Sequence, residues 1–326
     1  MRYSIQPRTA EGINAGTKAV KDVSEILNNE GYRPFYVGSN YNGNHLYRFY
    51  ILVYDLCRLL IEAKKEDIFF IQWPYYNYLM LFFYLVVKCK CRKIQILAHD
   101  INSLRNERHS FWDFKFFRMA QLIIVHSEAM KKYLVQEGIE TKVIRILTCF
   151  DYLTEDKIEK TRNKSKEIVY AGNLKKSKFL KQIQDKSLNL NINCYGKRCG
   201  KLGKGLTYKG SFKPEKVSML DGGWGLVWDG DSLDGCVGEF GNYLQYNAPH
   251  KLSLYIVSEL PIIIWNKSAM AEYVEKKGLG FTISSIREIH DKINNISEVE
   301  YQNMLIKVKK EAITLRTGGH LKKCLN

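Results

Sequence analysis

Short apolar runs separated by amphipathic stretches constrain this chain more than any other feature. In the first half the runs fall at 3–5, 35–37, 68–72, 94–98, 122–125 and 143–146. Stretches with helical periodicity lie among them, at 15–27, 46–63 and 128–137. That alternation predicts a parallel sheet covered by helices on both faces. A stretch rich in Lys and Glu at 154–166 breaks the rhythm and reads as an inter-domain linker. The rhythm restarts at 167–173, with further runs at 192–195, 206–208, 225–228, 261–264 and 280–283. A long amphipathic segment follows at 299–317. The fold class expected is α/β: a Rossmann-like domain over 1–153, the linker, a second over 167–298, and a C-terminal helix over 299–326 that can pack back on the first. Ligands of doubly wound sheets bind beyond the carboxyl ends of the strands. Two facing domains would place the site in an interdomain cleft.

Composition narrows the class of partner. A formal charge of +16 favours anions such as nucleotide diphosphates, anionic lipid or nucleic acid. The lysines are scattered and form no basic tail, which argues for an acidic environment rather than for one partner. The eight cysteines show neither metal-site spacing nor a secreted scaffold, so reduced, cytosolic usage is expected and zinc is not. No signal-peptide pattern opens the sequence. Residues 68–87 carry no charge over twenty positions, long enough to span a bilayer. Gln72, Pro74 and Asn77 interrupt that run. It reads as a strand at 68–73 and an aromatic helix at 78–87, with a surface-embedded helix as the alternative.

Three loops fall where strands should end. The segment 246–265 reads as a loop, a helix and a buried strand: Asn247 can cap, Pro249 suits a first helical turn, and 262–265 is a two-face-buried parallel strand. A helix N-terminus suits a phosphate, and His250 and Lys251 in that first turn strengthen the case. At 9–18, Gly12 and Gly16 permit close approach of a ligand, but the loop matches neither GxGxxG nor a P-loop. At 171–178, three lysines after Gly172 enter what should be a helix, where they oppose its dipole unless an anion offsets them; ordinary solvated lysines are the alternative.

Among the acids, Asp229-Gly230-Asp231 could hold a divalent cation through its oxygens, but the glycine also suits a simple turn, the favoured reading. His99-Asp100 ends the run 94–98, where either residue could take a proton from an acceptor hydroxyl. Arg105 is near enough to pair with Asp100 and lower its pKa.

The blocks HDINSLR (99–105), YAGNL (170–174), GLVWDGDS (225–232) and YNAPHKLSLY…ELPIIIW (246–265) together resemble bacterial GT-B glycosyltransferases of the galactofuranosyltransferase and adhesin-glucosyltransferase kind. Singly the blocks are weak; their order and spacing, covering nearly the whole chain, are specific. The resemblance implies a GT-B fold with acceptor on the first domain and UDP-sugar mostly on the second. It implies metal-independent transfer, without a cofactor. Donor contacts would come from Gly16, Thr17, Asn173, Lys176, Lys178, Pro249, His250, Lys251, Leu252 and Ser253. Lys251 and the N–H groups of His250, Leu252 and Ser253 would hold the diphosphate. The paired glutamates of retaining relatives are absent around 250–260, which favours inversion, with Asp100 as base and His99 second.

The function expected is therefore transfer of a hexose, galactofuranose or next glucose, from a UDP-sugar to a sugar acceptor. The acceptor would be lipid-linked, at the cytoplasmic face of an anionic membrane that the protein contacts peripherally near 75–84. Homo-oligomers are compatible with this reading. Two other classes compete. A nucleic-acid binder would need a basic stripe interleaved with aromatics, and here the aromatics sit in apolar runs. A non-catalytic scaffold of a glycosylation complex would bind UDP without releasing it from a donor.

Overall fold

The computed structural model describes residues 1–8, 15–38, 44–74, 78–91, 93–105, 110–183, 188–197 and 203–326. The chain divides into two compact units. Unit 1 comprises Met1–Gly12, Val20–Leu147 and Leu321–Asn326; unit 2 comprises Ile13–Ala19 and Thr148–His320.

Unit 1 carries the strands β1 (Arg2–Pro7), β2 (Arg33–Val37), β3 (Ile68–Trp73), β4 (Lys93–Ala98), β5 (Leu122–Val125) and β6 (Ile144–Ile146). The helices connecting them are α1 (Ala15–Asn29), α2 (His45–Glu62), α3 (Tyr78–Lys90), α4 (Ser110–Phe117) and α5 (Glu128–Gln136). The sheet order is β2-β1-β3-β4-β5-β6, and the recorded pairings are parallel. Burial on both faces of such a sheet explains why β5 is a continuous apolar run, Leu122 to Val125, with no polar alternation. Most of the described side chains in the uncharged run at 68–87 are core. Phe69, Phe70 and Ile71 of β3 are buried, as are Met80, Leu81, Phe83, Tyr84 and Val87 of α3. Of the described side chains at 75–84, the expected membrane contact, only Phe82 is a large exposed hydrophobic. No helix among the described residues is long and apolar enough to cross a membrane.

Unit 2 repeats the plan with β7 (Glu167–Ala171), β8 (Asn191–Tyr195), β9 (Leu206–Gly210), β10 (Trp224–Val227), β11 (Ile262–Trp265) and β12 (Gly280–Ile283). Its helices are α6 (Gly238–Tyr243), α7 (His250–Val257), α8 (Ala271–Lys277), α9 (Ile289–Asn295) and α10 (Glu298–Arg316), and α11 (Gly319–Leu325) follows. The order is β12-β11-β10-β7-β8-β9, parallel throughout. The first strand, β7, lies between β8 and β10, so the winding reverses direction there. That switch point is where open α/β sheets leave a crevice for a ligand.

Helix α7 lies against this sheet. A Cβ on Gly225 of β10 would sit 2.4 Å from the Tyr255 ring, so only glycine lets the ring approach so closely. The Tyr255 hydroxyl accepts a hydrogen bond from the Ala171 N–H at 2.8 Å, tying α7 to the end of β7.

Two local expectations are corrected. The charged stretch 154–166 groups with unit 2 instead of standing apart as a linker. Arg162 in it is buried and donates to the carbonyls of Leu220 and Ser258, so an arginine fork anchors it. The residues after Gly172 do not enter an α-helix: 178–182 is a short 3-10 turn, so no helix dipole acts on those lysines.

Glu311 of α10 is buried and accepts hydrogen bonds from Tyr273 (2.6 Å), Lys277 (2.9 Å) and His320 (2.9 Å). Burial alone would raise its pKa. The His320, Tyr273 and Lys277 bonds outweigh it and hold the carboxyl at about 2. A carboxyl depressed in the folded state adds stability above its unfolded pKa, about 4.5, and loses it as pH falls toward about 2. Glu311→Gln should therefore destabilise the protein by on the order of 3 kcal/mol at pH 7, at 1.36 kcal/mol per pKa unit. In thermal melts the gap from wild type should close as pH drops from about 4.5 toward 2; a gap independent of pH would remove the charge from the account.

Candidate active site

At the switch point of unit 2, three chain segments converge. The end of β7 supplies Tyr170 and leads into Gly172 and Asn173. The end of β10 leads into Trp228 and Asp229. The first turn of α7 supplies Lys251. Lys251 Nζ donates to Asp229 Oδ1 at 2.7 Å, to the Trp228 carbonyl at 3.1 Å and to the Tyr170 hydroxyl at 3.3 Å. The same ammonium lies 4.7 Å from the Tyr170 ring centroid. A Cβ on Gly172 would be 3.9 Å from Lys251 Nζ, so glycine keeps the approach to the ammonium open. The Tyr170 hydroxyl is 2.5 Å from Ser177 Oγ, which donates to the Asn173 carbonyl. Burial, then the Asp229 charge, push the Tyr170 hydroxyl pKa well above its ordinary value, so it stays a neutral donor.

Pro249 is the cap residue of α7 and offers no side-chain hydrogen bond. Asn247, expected as the cap, is two residues too early. The first-turn N–H groups of α7 therefore have no capping side chain, and carry the partial positive charge of a helix start. His250 packs its ring 5.5 Å from those of both Phe150 and Tyr152. Ser253 is buried, and its hydroxyl donates to the Phe150 carbonyl at 2.7 Å. Leu252 is fully buried. Ser253 and Leu252 thus seat the helix with their side chains, and the Leu252 N–H already donates to the Pro249 carbonyl at 2.9 Å.

The other expected donor contacts fall in varied settings. Lys176 holds its ammonium 4.2 Å from the Phe240 ring centroid. Lys178 pairs with Asp231 at 3.0 Å. Asn173 Oδ1 accepts the Lys175 N–H. Of the loop at 9–18, residues 9–14 lie outside the described residues. Gly16 and Thr17 belong to the start of α1, and Ile13–Ala19 groups with unit 2. Lys18 beside them donates to the Leu153 carbonyl at 2.6 Å.

Asp229-Gly230-Asp231 is a turn. Gly230 has φ +102°, and a Cβ there would meet the Val237 carbonyl oxygen at 2.2 Å. The two carboxylates face different lysines, Lys251 and Lys178, instead of converging.

In unit 1 His99 and Asp100 follow β4. Gln72 Nε2 donates to the Val20 carbonyl and to Ser24 Oγ, which turns its Oε1 toward His99 Nε2 at 2.7 Å. An acceptor there assigns the proton to Nε2 and leaves Nδ1 as the basic nitrogen. Burial lowers the ring pKa to about 4, so His99 is neutral at working pH. Asp100 pairs with Arg105 at 2.7 Å, as the spacing suggested. Beneath this loop lies fully buried Asp113. It accepts from Trp73 Nε1 (2.7 Å), Asn102 Nδ2 (3.0 Å) and the Ser103 N–H (2.8 Å). Burial pushes its carboxyl pKa up against those bonds.

Sequence reasoning missed four of these groups. Tyr170 and Gln72 looked like ordinary strand residues. Asp229 is expected in a turn, with a cation site as the alternative, and not as the partner of Lys251; Asp113 carries no expectation. The signal for Asp113 was present: a single acid in the aromatic run 111–117 has to be either exposed or fully bonded.

Comparison with known proteins bears on the family and the fold. The glucosyltransferase 3-like N-terminal domain matches residues 3–147, and the glucosyltransferase 3-like C-terminal domain matches 168–326. The beta-1,6-galactofuranosyltransferase WbbI of Escherichia coli (strain K12) is 30% identical over 322 residues, 96% of this chain and 93% of the relative. Among solved structures, the apo lipopolysaccharide outer core galactosyltransferase WaaB superposes with a TM-score of 0.59. It is 13% identical and covers 100% of this chain and 99% of its own. An Escherichia coli trehalose-6-phosphate structure bound with UDP-2-fluoro glucose superposes with a TM-score of 0.62. It is 11% identical and covers 99% and 97%. These neighbours share the GT-B fold. Family domains matched along both halves, with a relative 30% identical across nearly all of the chain, show that the chain belongs to the glucosyltransferase 3-like family of glycosyltransferases.

Proposed function

We propose that this protein moves a hexose from a UDP-sugar to a hydroxyl of a sugar acceptor, inverting the anomeric centre. The donor is UDP-galactofuranose, with UDP-glucose second; the similarity to WbbI supports the first and the family description the second. The observation that carries the reading is the meeting of Lys251, Tyr170 and an α7 start without a side-chain cap at the switch point of unit 2. An ammonium and helix N–H groups suit a diphosphate. Lys251 is not idle without it, since Asp229 holds it at 2.7 Å. Binding then means that phosphate joins or replaces Asp229 as its partner.

The diphosphate needs no metal in this reading. The engagement of Asp229 and Asp231 with different lysines supports it. The acceptor oxygen attacks the anomeric carbon, the bond to UDP breaks, and the acceptor proton passes to Asp100. UDP leaves with its added charge met by Lys251 and the α7 start. His99, neutral and bonded to Gln72, orients this loop and is the second choice as base. The acceptor sugar is carried on lipid at the cytoplasmic membrane face. Family membership and this site leave less support for a nucleic-acid binder or an inert scaffold.

UDP should raise the melting temperature in the presence of EDTA, because it binds only the folded state. Lys251→Ala should weaken UDP about ten- to a hundredfold, as expected for a charge-assisted bond worth about 1.5–3 kcal/mol. Asp229→Asn, run beside it, tests whether the pair rather than the charge matters for folding. Dependence of UDP binding on added Mn²⁺ would sink the metal-free reading.

Asp100→Asn should lower turnover about 10²–10⁴-fold with UDP affinity unchanged. The pH–rate profile from 5 to 8 should lack a step from His99, whose ring stays neutral above about 4. Product NMR should show an inverted anomeric configuration. Retention, or full activity in Asp100→Asn, defeats the assignment.

A further inference from the structure

Helix α2 is turned inside out. Its one fully buried polar side chain, Asp55, faces inward and pairs with Arg8 while accepting the Gly38 N–H at 2.9 Å. Leu52 and Leu59 share that inward face. The opposite face is apolar and exposed. Leu46, Phe49, Tyr50, Val53, Leu60 and Ile61 are between 41% and 83% accessible. At 100° per residue these positions fall within a stripe about 120° wide. Exposed Cys57 fills the gap in the middle. An 18-residue helix is about 27 Å long, so the stripe is far larger than the isolated apolar contacts a soluble surface normally shows.

Charge and chemistry favour one occupant. The acids of α2 are both neutralised, Asp55 by Arg8 and Glu62 by Arg58. Exposed Lys64, Lys65 and Glu66 follow the helix and leave one net positive charge there. Tyr47, Tyr50 and Tyr54 are exposed along it, and tyrosine favours the boundary of headgroups and acyl chains. A second copy of a chain carrying +16 would bring like charge against like, whereas anionic headgroups attract it.

We propose that this face of α2 lies in the interface of an anionic lipid bilayer, parallel to the membrane plane, with its apolar stripe among the upper acyl chains. A lipid-carried acceptor gives the contact its purpose. The contact itself needs neither donor nor acceptor and is measured without them, so its failure would leave the transferase reading standing.

The test is sedimentation of the full chain with vesicles of equimolar phosphatidylglycerol and phosphatidylcholine, against phosphatidylcholine alone. Wild type should bind the anionic vesicles and bind more weakly as salt rises. Phe49→Gln/Val53→Gln should weaken binding at least about tenfold while melting temperature and turnover on a water-soluble acceptor stay unchanged. A fluorophore on Cys57, in a Cys89→Ser/Cys199→Ser background, should shift to the blue on anionic vesicles. Failure of wild type to bind, equal binding by the double variant, or binding without the Cys57 shift would each overturn the proposal. A dimer in analytical ultracentrifugation that the double variant splits, with no vesicle binding, would assign the stripe to a second copy and overturn it as well.

Discussion

The contact of Tyr255 with Gly225 and Ala171 is the constraint on which the geometry of the unit 2 switch point rests. The ring lies on a strand position that has no Cβ, and the hydroxyl takes the first N–H beyond Tyr170. Together they set both the distance and the rotation of α7 over the switch point. Lys251 is one turn before Tyr255 on the same helix, so fixing the tyrosine aims the lysine. A Cβ at position 225 would fall 2.4 Å from the Tyr255 ring, so any other residue there requires a shift in the helix that carries Lys251. Ser253, bonded to the Phe150 carbonyl, pins the helix from its other side.

The Lys251–Asp229 pair has a further consequence. An unpaired ammonium at 12% exposure would carry a desolvation cost, and a nearby carboxylate reduces it. The same carboxylate weakens the field an anion would meet. Helix-start N–H groups supply what the pair does not, because their partial charge is fixed in direction and has no counter-ion. The loop after β4 in unit 1 is organised on the opposite principle. Asp113 takes three hydrogen bonds in a fully buried position and so holds Trp73, Asn102 and Ser103 in one arrangement, which leaves Asp100 on a loop with a rigid base.

Much of the architecture was legible in the residues because burial on both faces leaves a strand no choice of composition. The runs 122–125 and 262–265 are continuously apolar for that reason, and both are strands. The helix after Pro249 was equally legible, since proline fits only the start of a helix. The lysines after Gly172 were not. Local propensity allowed a helix there, and tertiary contacts with the 229–231 turn, through Phe179 to the Gly230 carbonyl and Lys178 to Asp231, held a short 3-10 turn instead. The uncharged run 68–87 was ambiguous on hydropathy alone, because a core strand plus a core helix and a membrane-embedded segment have the same composition. Helix α2 is the converse case. Its periodicity marks an apolar face but not which way that face points.

The sequence by itself determined the two doubly wound sheets, the helix that begins after Pro249, and the candidates Lys251, His99 and Asp100. All are consequences of local periodicity, of backbone chemistry or of where a strand ends. Only the tertiary structure decided the partners: Asp229 and Tyr170 for Lys251, Gln72 for His99, the buried carboxylate of Asp113 beneath the loop, and the outward turn of the α2 stripe. Each pairing joins residues distant in the chain, or depends on the rotation of a helix against a sheet. Such placement is set by the packing of the whole unit, and no local pattern of residue types encodes it.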